Sequence, residues 1–175
     1  AGVVVVESEA MDYASIPASI QLVAGILNID AQPLLTEMSD KEAALLESAP
    51  EAGSCTVYFA LSFGEYGEWS AGPGTFIDTM ITMAGGTNIM NDPENPWPNP
   101  SLESILEADP DVILVSGGDE MAQLLLEGDA YQDLTAVQNG HVYGVDADMS
   151  NRPGPRIVDS LGEFVAAIND ALAAE

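Results

Sequence analysis

Positive charge is what this sequence lacks most, since its 175 residues include 3 lysines and arginines against 29 aspartates and glutamates. A formal net charge of −26 excludes nucleic acid as a natural partner, because a protein must neutralise phosphates to bind them. It also argues against anionic membrane surfaces. The acids are dispersed beside apolar residues, and their mutual repulsion is screened only at high salt. The composition therefore predicts a protein of a halophilic organism, with an ordinary acidic domain as the alternative.

Cysteine and histidine are almost as scarce, with one residue of each, Cys55 and His141. One cysteine allows no intrachain disulfide and no cysteine-based zinc site. His141 lies in a turn that enters a strand, and we expect an ordinary surface histidine there. Neither residue is expected near a ligand-binding edge, so no nucleophilic site is predicted. The sequence therefore predicts a protein that is not an enzyme and has no resident cofactor or metal, with a small α/β enzyme as the alternative from another class.

Long apolar runs are also missing. No segment of the sequence is long enough to cross a bilayer, and no signal peptide is visible. We therefore expect contact with a membrane only through a transporter or through an anchor outside this sequence. The chain opens directly into four valines at 3–6, which is typical of a short buried strand entered in mid-fold.

Apolar residues nevertheless make up 47% of the chain, which is enough to build a core. Their spacing at 15–50 is typical of helix, with a break near 28–32. Beyond residue 50, short apolar runs alternate with helical patterns. This alternation predicts a three-layer, Rossmann-like α/β lobe in which helices cover both faces of a mostly parallel sheet. The predicted strands are 56–61, 112–115 and 142–145, and the predicted helices lie near 76–84, 102–106, 121–126 and 157–168.

Four loops carry the residues that are least typical of a core. In parallel sheets a ligand binds beyond the carboxyl ends of the strands, so these loops should converge on one rim. Trp97, held between two prolines, suits stacking against a flat ligand, although it could instead cover the core. Arg152 is as compatible with ligand contact as with a structural role, and we expect Arg156 to tie a loop to a carboxylate. The loops cover residues 63–69, 96–98, 116–118 and 146–152.

Glu103 lies in the first turn of a predicted helix that begins after Ser101. An acid at this position stabilises the helix dipole, which is a sufficient reason for its presence. Because Leu102, Ile105 and Leu106 should face inward, Glu103 should face solvent. There it could also pair with an arginine of a partner protein.

Six short motifs occur in an order that is familiar from one protein family. Together they resemble the second lobe of the helical-backbone periplasmic binding proteins, which capture cobalamin, haem and iron-siderophores. The resemblance implies that 51–175 form a C-terminal substrate-binding lobe and that 15–50 form the helical linker between two lobes. Residues 1–14 would then contain the last strand of a first lobe that is mostly missing from this sequence. The motifs lie at 70–76, 84–89, 100–103, 108–113, 140–143 and 152–156.

Within that family, the segment 95–103 is most similar to the vitamin B12-binding members. A tryptophan of this loop packs on the corrinoid there, and it corresponds to Trp97. An acid of the following helix docks on arginines of the permease, and it corresponds to Glu103. An aromatic residue before the motif at 70–76 and two polar residues that border the ligand also have counterparts here. The ligand-binding residues implied by the resemblance and by the rim are Phe63, Tyr66, Trp69, Trp97, Asp148 and Arg152.

The resemblance also implies a function and a location. It indicates the substrate-binding component of an ABC importer, working on the outer side of the cytoplasmic membrane. The expected ligand is cobalamin or a related corrinoid, and a ferric siderophore or haem is the alternative. The expected protein partner is the ABC permease, contacted through Glu103.

Overall fold

A sheet of four parallel strands lies at the centre of the structure, a computed structural model that describes residues 2–8, 10 and 12–174. The spatial order of the strands is β2-β1-β3-β4, and each neighbouring pair is parallel. This sheet confirms the predicted α/β class. In chain order the strands are β1 (Cys55–Ala60), β2 (Gly86–Asn88), β3 (Val112–Ser116) and β4 (Val142–Val145).

Helices cover both faces of the sheet. Side chains of a strand alternate between the faces, so Val57 and Phe59 point into one layer, and Tyr58 and Ala60 point into the other. The first layer contains α3 and α8, and the second contains α4, α5 and α6. The helices are α1 (Ile16–Leu27), α2 (Gln32–Ser48), α3 (Phe76–Met83), α4 (Leu102–Ala108), α5 (Asp119–Glu127), α6 (Thr135–Asn139), α7 (Ala147–Ser150) and α8 (Ile157–Ala173).

The helical segment 15–50 is divided as the sequence predicts. α1 ends at Leu27 and is capped by Asn28, which adopts a left-handed conformation with φ 54° and donates its backbone N–H to the carbonyl of Ala24. α2 begins four residues later and packs on α8, where Lys41 forms an ion pair with Asp159. None of the helices in the described part of the chain reaches the length and apolarity that a bilayer crossing requires.

The four valines at 3–6 do not form the predicted buried strand. Within residues 2–8 the structure has no strand, and Val3, Val4 and Val5 are each more than 80% exposed. An extended segment is stable as a strand only when a neighbouring strand accepts its hydrogen bonds, and none of the four described strands pairs with it. The assignment of 1–14 to another lobe stays a prediction, and residues 1, 9 and 11 lie outside the described residues.

One further prediction, the surface position of His141, is corrected. His141 is buried rather than on the surface, and its Nδ1 lies 3.3 Å from the carbonyl oxygen of Asp111. It lies directly before β4, and its own carbonyl accepts the N–H of Ile113 in β3, so the residue is fixed against the start of β3 instead of facing solvent. β2 was not predicted, and it begins at Gly86, shortly after α3 ends. The short helices α6 and α7 were not predicted.

Candidate functional site

The loops that leave the carboxyl ends of the four strands form one rim, in the spatial order of the strands. The loop after β2 carries Trp97 and the loop after β1 carries Trp69. The loop after β3 contains the two glycines at 117–118, and the loop after β4 carries Asp148 and Arg152. Parallel strands are spaced about 4.8 Å apart, so the rim is about 14 Å wide at the sheet. It has an aromatic half above β2 and β1 and an ionic half beside β4.

The loop after β1 closes on itself and displays aromatic side chains. The backbone N–H of Leu61 donates to the carbonyl of Trp69 over 2.9 Å, and the Ser62 hydroxyl donates to the carbonyl of Gly67 over 2.9 Å. Trp69 is 46% exposed and Tyr66 is 80% exposed. We call residues 61–69 the aromatic loop.

A buried carboxylate lies beneath this loop. Glu68 is buried, and its Oε1 accepts hydrogen bonds from the Tyr131 hydroxyl at 2.6 Å and from the Gly64 backbone N–H at 3.0 Å. Burial raises the pKa of Tyr131, and its hydrogen bond to Glu68 raises it further. Phe63 is half-buried and packs edge-on against the Tyr131 ring, with centroids 6.0 Å apart. The sequence did not single out Glu68 because acids occur throughout the chain; its place inside an aromatic loop was the available signal.

The loop that carries Trp97 is joined to the end of the aromatic loop by backbone hydrogen bonds. Ser70 donates its N–H to the carbonyl of Pro98, and Gly72 donates to the carbonyl of Pro96, both over 2.9 Å. Only glycine fits at position 72, because a Cβ there would lie 2.9 Å from the carbonyl oxygen of Asn95. The indole of Trp97 packs edge-on against Phe76 at 6.4 Å. About a third of the residue stays exposed, so it touches the core and also faces the rim.

An exposed ion pair forms the other half of the rim. Arg152 Nη2 lies 3.1 Å from Asp148 Oδ1, and both side chains are more than half exposed. Such a pair contributes little to stability, so both groups are available to a ligand. The loop itself is fixed by Asn151, which donates from Nδ2 to the Ser116 hydroxyl at the end of β3 over 2.8 Å. Arg156 has no carboxylate partner within the described residues, contrary to the expected tie.

An acidic groove of about 510 Å³ lies beside the ion pair. Its carboxylates belong to Asp119, Asp146, Asp148 and Glu163. Burial raises the pKa of Glu163, and the charges of Asp146, Asp159 and Asp119 add to this, although Glu163 also accepts the Asp146 N–H. Within the described residues no cluster has the composition of a metal site. The groove therefore favours neutral or cationic hydrogen-bond donors over anions.

Glu103 lies where the sequence predicts, in the exposed first turn of α4. The Ser101 hydroxyl caps this helix by accepting the N–H of Ser104 over 3.1 Å, and Ile105 is buried against the sheet. α4 starts from the loop that leaves the carboxyl end of β2, so its first turn is at the same end of the lobe as the rim. Glu103 is thus separate from the predicted ligand residues but lies at the same end.

The structure therefore brings most of the predicted ligand residues to one edge, in two groups. The sequence missed three residues: Glu68 within the aromatic loop, Tyr131 beneath that loop and Phe76 beneath Trp97. A larger groove of about 590 Å³ lies outside β4, between α5 and α8, and it includes none of the predicted ligand residues.

Proteins of known role resemble this chain in sequence and in fold. A cobalamin-binding protein of Halobacterium salinarum is 32% identical over 143 residues, which are 77% of this chain and 38% of that protein. The haem-binding protein BhuT has a TM-score of 0.78 at 26% identity, with 94% of this chain and 65% of that chain covered. The vitamin B12-binding protein BtuF of Vibrio cholerae has a TM-score of 0.74 at 22% identity, with 94% of this chain and 64% of that chain covered.

This chain spans about two-fifths of the length of such curated relatives. The family model described as periplasmic binding protein matches residues 1–149, which is most of the chain. On this match, the chain belongs to the periplasmic binding protein family.

Proposed function

We propose that this chain is the C-terminal lobe of an ABC-importer substrate-binding protein that captures cobalamin or a related corrinoid on the outer side of the cytoplasmic membrane. The observation that carries the proposal is the pair of exposed indoles, Trp69 and Trp97, on two loops joined by backbone hydrogen bonds. Aromatic rings held in this way suit the broad, flat face of a large ring system. The relatives named for cobalamin support the choice of ligand.

The ionic half of the rim favours the same ligand class. A corrin carries amide groups around its periphery, and amides donate hydrogen bonds to carboxylates. Asp148 is exposed, and the groove beside it is lined by further carboxylates. A ligand with peripheral carboxylates would be repelled by this groove, unless Arg152 met them.

Haem or a ferric siderophore is the second candidate within the same class. The likeness to BhuT favours it, because that protein binds haem and is 26% identical over most of this chain. The deciding experiment is a titration of the full-length, two-lobe protein in molar KCl with cyanocobalamin, haem and a ferric hydroxamate siderophore. We expect saturable binding of cyanocobalamin without turnover, whereas preferential binding of haem or siderophore would overturn the corrinoid assignment. Turnover of any of the three would favour the small α/β enzyme.

Trp97 gives the first prediction for the ligand. If its indole stacks on the corrin, Trp97→Ala in the full-length protein should weaken cyanocobalamin binding by about 1–3 kcal/mol, the size of aromatic stacking on planar bases. Trp97→Phe is the matched control, because it keeps a ring at the same place and should retain most of the affinity. Calorimetric titration measures both variants. An Ala variant with lower thermal stability and unchanged affinity would identify Trp97 as a cover of the core.

Glu103 gives a prediction for delivery to a BtuCD-like permease. A carboxylate on the rim end of the lobe can pair with a permease arginine, and at high salt the short-range hydrogen bonds of that pair matter more than long-range attraction. Glu103→Ala should therefore reduce uptake while leaving cyanocobalamin affinity unchanged. Its cost in stability should stay within about 1 kcal/mol, as for a helix-dipole contact.

The matched control for Glu103 is Glu47→Ala, which removes the same charge from an exposed position on α2. Uptake by cells that carry each variant is compared with ligand affinity measured by calorimetry. Equal uptake by both variants would show that Glu103 stabilises the helix terminus and has no role in docking. A double variant with the corresponding acid of the first lobe would exclude compensation by that lobe.

A further inference from the structure

One acidic residue differs from all the other described acids in being buried. Glu68 is 8% exposed, although the next residue, Trp69, is 46% exposed. Burial of a carboxylate is unfavourable unless hydrogen bonds replace the lost water. Glu68 is not needed for solubility, because the chain has 29 acids in total. Its burial therefore needs a local explanation.

The hydrogen bonds of Glu68 join two parts of the chain that are far apart in sequence. Its Oε1 accepts from the Tyr131 hydroxyl over 2.6 Å, within the range of charge-assisted hydrogen bonds. The same oxygen accepts from the Gly64 N–H over 3.0 Å, and Gly64 also donates to the Tyr131 hydroxyl oxygen over 3.1 Å. Gly64 has φ +66°, a conformation that glycine adopts readily. Three groups thus meet at one point beneath the aromatic loop.

This joint holds the aromatic loop to the body of the lobe. Gly64 and Glu68 flank the short turn that displays Tyr66, and Tyr131 belongs to the second layer beneath the sheet. The other hydrogen bonds of the loop, donated by Leu61, Ser62, Gly67 and Trp69, stay within the loop. The edge-on contact of Phe63 with the Tyr131 ring adds to the same attachment.

We propose that Glu68 and Tyr131 form a buried latch that fixes the orientation of the aromatic loop for ligand capture, with both residues acting as positioning residues. The proposal rests on the proposed function, because the loop carries Phe63, Tyr66 and Trp69. The latch holds the indole of Trp69 at the rim before any ligand arrives. The ligand then meets a preformed surface, and binding costs less conformational entropy because the loop is already ordered.

Tyr58 provides the matched control. Its hydroxyl is also buried on the same face of the sheet, and burial together with the charge of Glu68 raises its pKa. That hydroxyl has no hydrogen-bond partner within the described residues. Tyr58→Phe and Tyr131→Phe therefore each remove one buried hydroxyl near the same carboxylate, but only the second removes a bond of the latch.

The first experiment needs no ligand. The chain has 2 tryptophans, so a Trp97→Phe background leaves Trp69 as the only indole. Adding Tyr131→Phe should raise acrylamide quenching of Trp69 about twofold or more, whereas adding Tyr58→Phe should leave it unchanged. The second experiment titrates cyanocobalamin into each tyrosine variant of the full-length, two-lobe protein with Trp97 present. We expect Tyr131→Phe to weaken binding about tenfold, which corresponds to about 1.4 kcal/mol, and Tyr58→Phe to bind normally.

The outcomes separate the latch from the proposed function. Unchanged quenching and unchanged affinity for Tyr131→Phe would overturn the latch. If the unchanged protein does not bind cyanocobalamin, the proposed function fails, and the quenching comparison alone decides whether the latch positions the loop. If Tyr131→Phe does not fold, Glu68→Gln replaces it, because glutamine keeps an acceptor oxygen of the same reach. A moderate rise in quenching and a moderate loss of affinity in Glu68→Gln would support the latch. Quenching and affinity equal to those of the unchanged protein would show that the charge of Glu68 has no role in it.

Discussion

Transfer from about 1 M to about 0.01 M KCl should lower the thermal unfolding midpoint of this protein by about 10 °C or more, or unfold it outright. The Debye length grows from about 3 Å to about 30 Å over this range, so acids that do not sense one another at high salt repel across the whole lobe at low salt. With 29 acids and 3 cations, the chain has almost no means of compensating this repulsion.

The size of the effect follows from the ordinary stability of a domain. A loss of about 4 kcal/mol is a large part of the total of about 5–15 kcal/mol, and it corresponds to about 8–16 °C for a chain of this length. Circular dichroism during heating, at a series of KCl concentrations, measures the shift. An uncharged osmolyte at matched osmolality is the control, and full protection by that osmolyte at low salt would contradict screening as the cause. An unchanged midpoint would contradict the halophilic interpretation.

Gly144→Ala should destabilise the lobe by about 3 kcal/mol or more, the upper end of overpacking. Gly144 lies in β4, and a Cβ there would overlap the backbone of Gly118 and Asp119, where α5 begins. Both glycines at 117–118 donate their N–H to the carbonyl of Val145, so the start of α5 cannot move away from β4 without losing those bonds. The clash is with main-chain atoms, and no rotation of a side chain relieves it.

The control for this substitution has the opposite expected sign. At Gly25, within α1, a Cβ would meet nothing within 4 Å, so Gly25→Ala should be neutral or stabilising by up to about 1 kcal/mol. For Gly144→Ala the expected loss corresponds to a midpoint about 6–12 °C lower at high salt. A loss of about 1 kcal/mol in stability lowers the midpoint by at least about 2 °C in a chain of this length. A midpoint within about 2 °C of that of the unchanged protein would therefore show that β4 and α5 separate at little cost.

The sequence predicted those parts of the fold in which local pattern and burial coincide. β3 is a run of apolar residues buried on both faces, and α8 repeats apolar residues on one side over 17 residues. β2 escaped prediction because it has three residues, one of them a glycine, and it forms only through pairing with β1. The valines at 3–6 show the reverse case, since a strong strand pattern forms no strand in this structure without a partner.

The site was predictable to the level of loops and not to the level of contacts. Trp69, Trp97 and Arg152 stand out because aromatic and cationic residues are rare in this sequence, and parallel topology brings their loops to one edge. Glu68 could not be distinguished from 28 other acids, because only the fold shows that it is buried against Tyr131. When acidic residues are this abundant, the sequence alone does not show which of them has a specific role.

The backbone bonds between 70–72 and 96–98 bear on how such a protein could change its ligand. The carbonyls of Pro96 and Pro98 and the N–H groups of Ser70 and Gly72 form the frame, and none of these atoms belongs to a side chain that faces the rim. Substitutions at 69 and 97 therefore alter the surface offered to a ligand while the frame stays in place. The surface of the rim can therefore diverge between related proteins through a few exchanges of side chains, while the backbone that carries it keeps its shape.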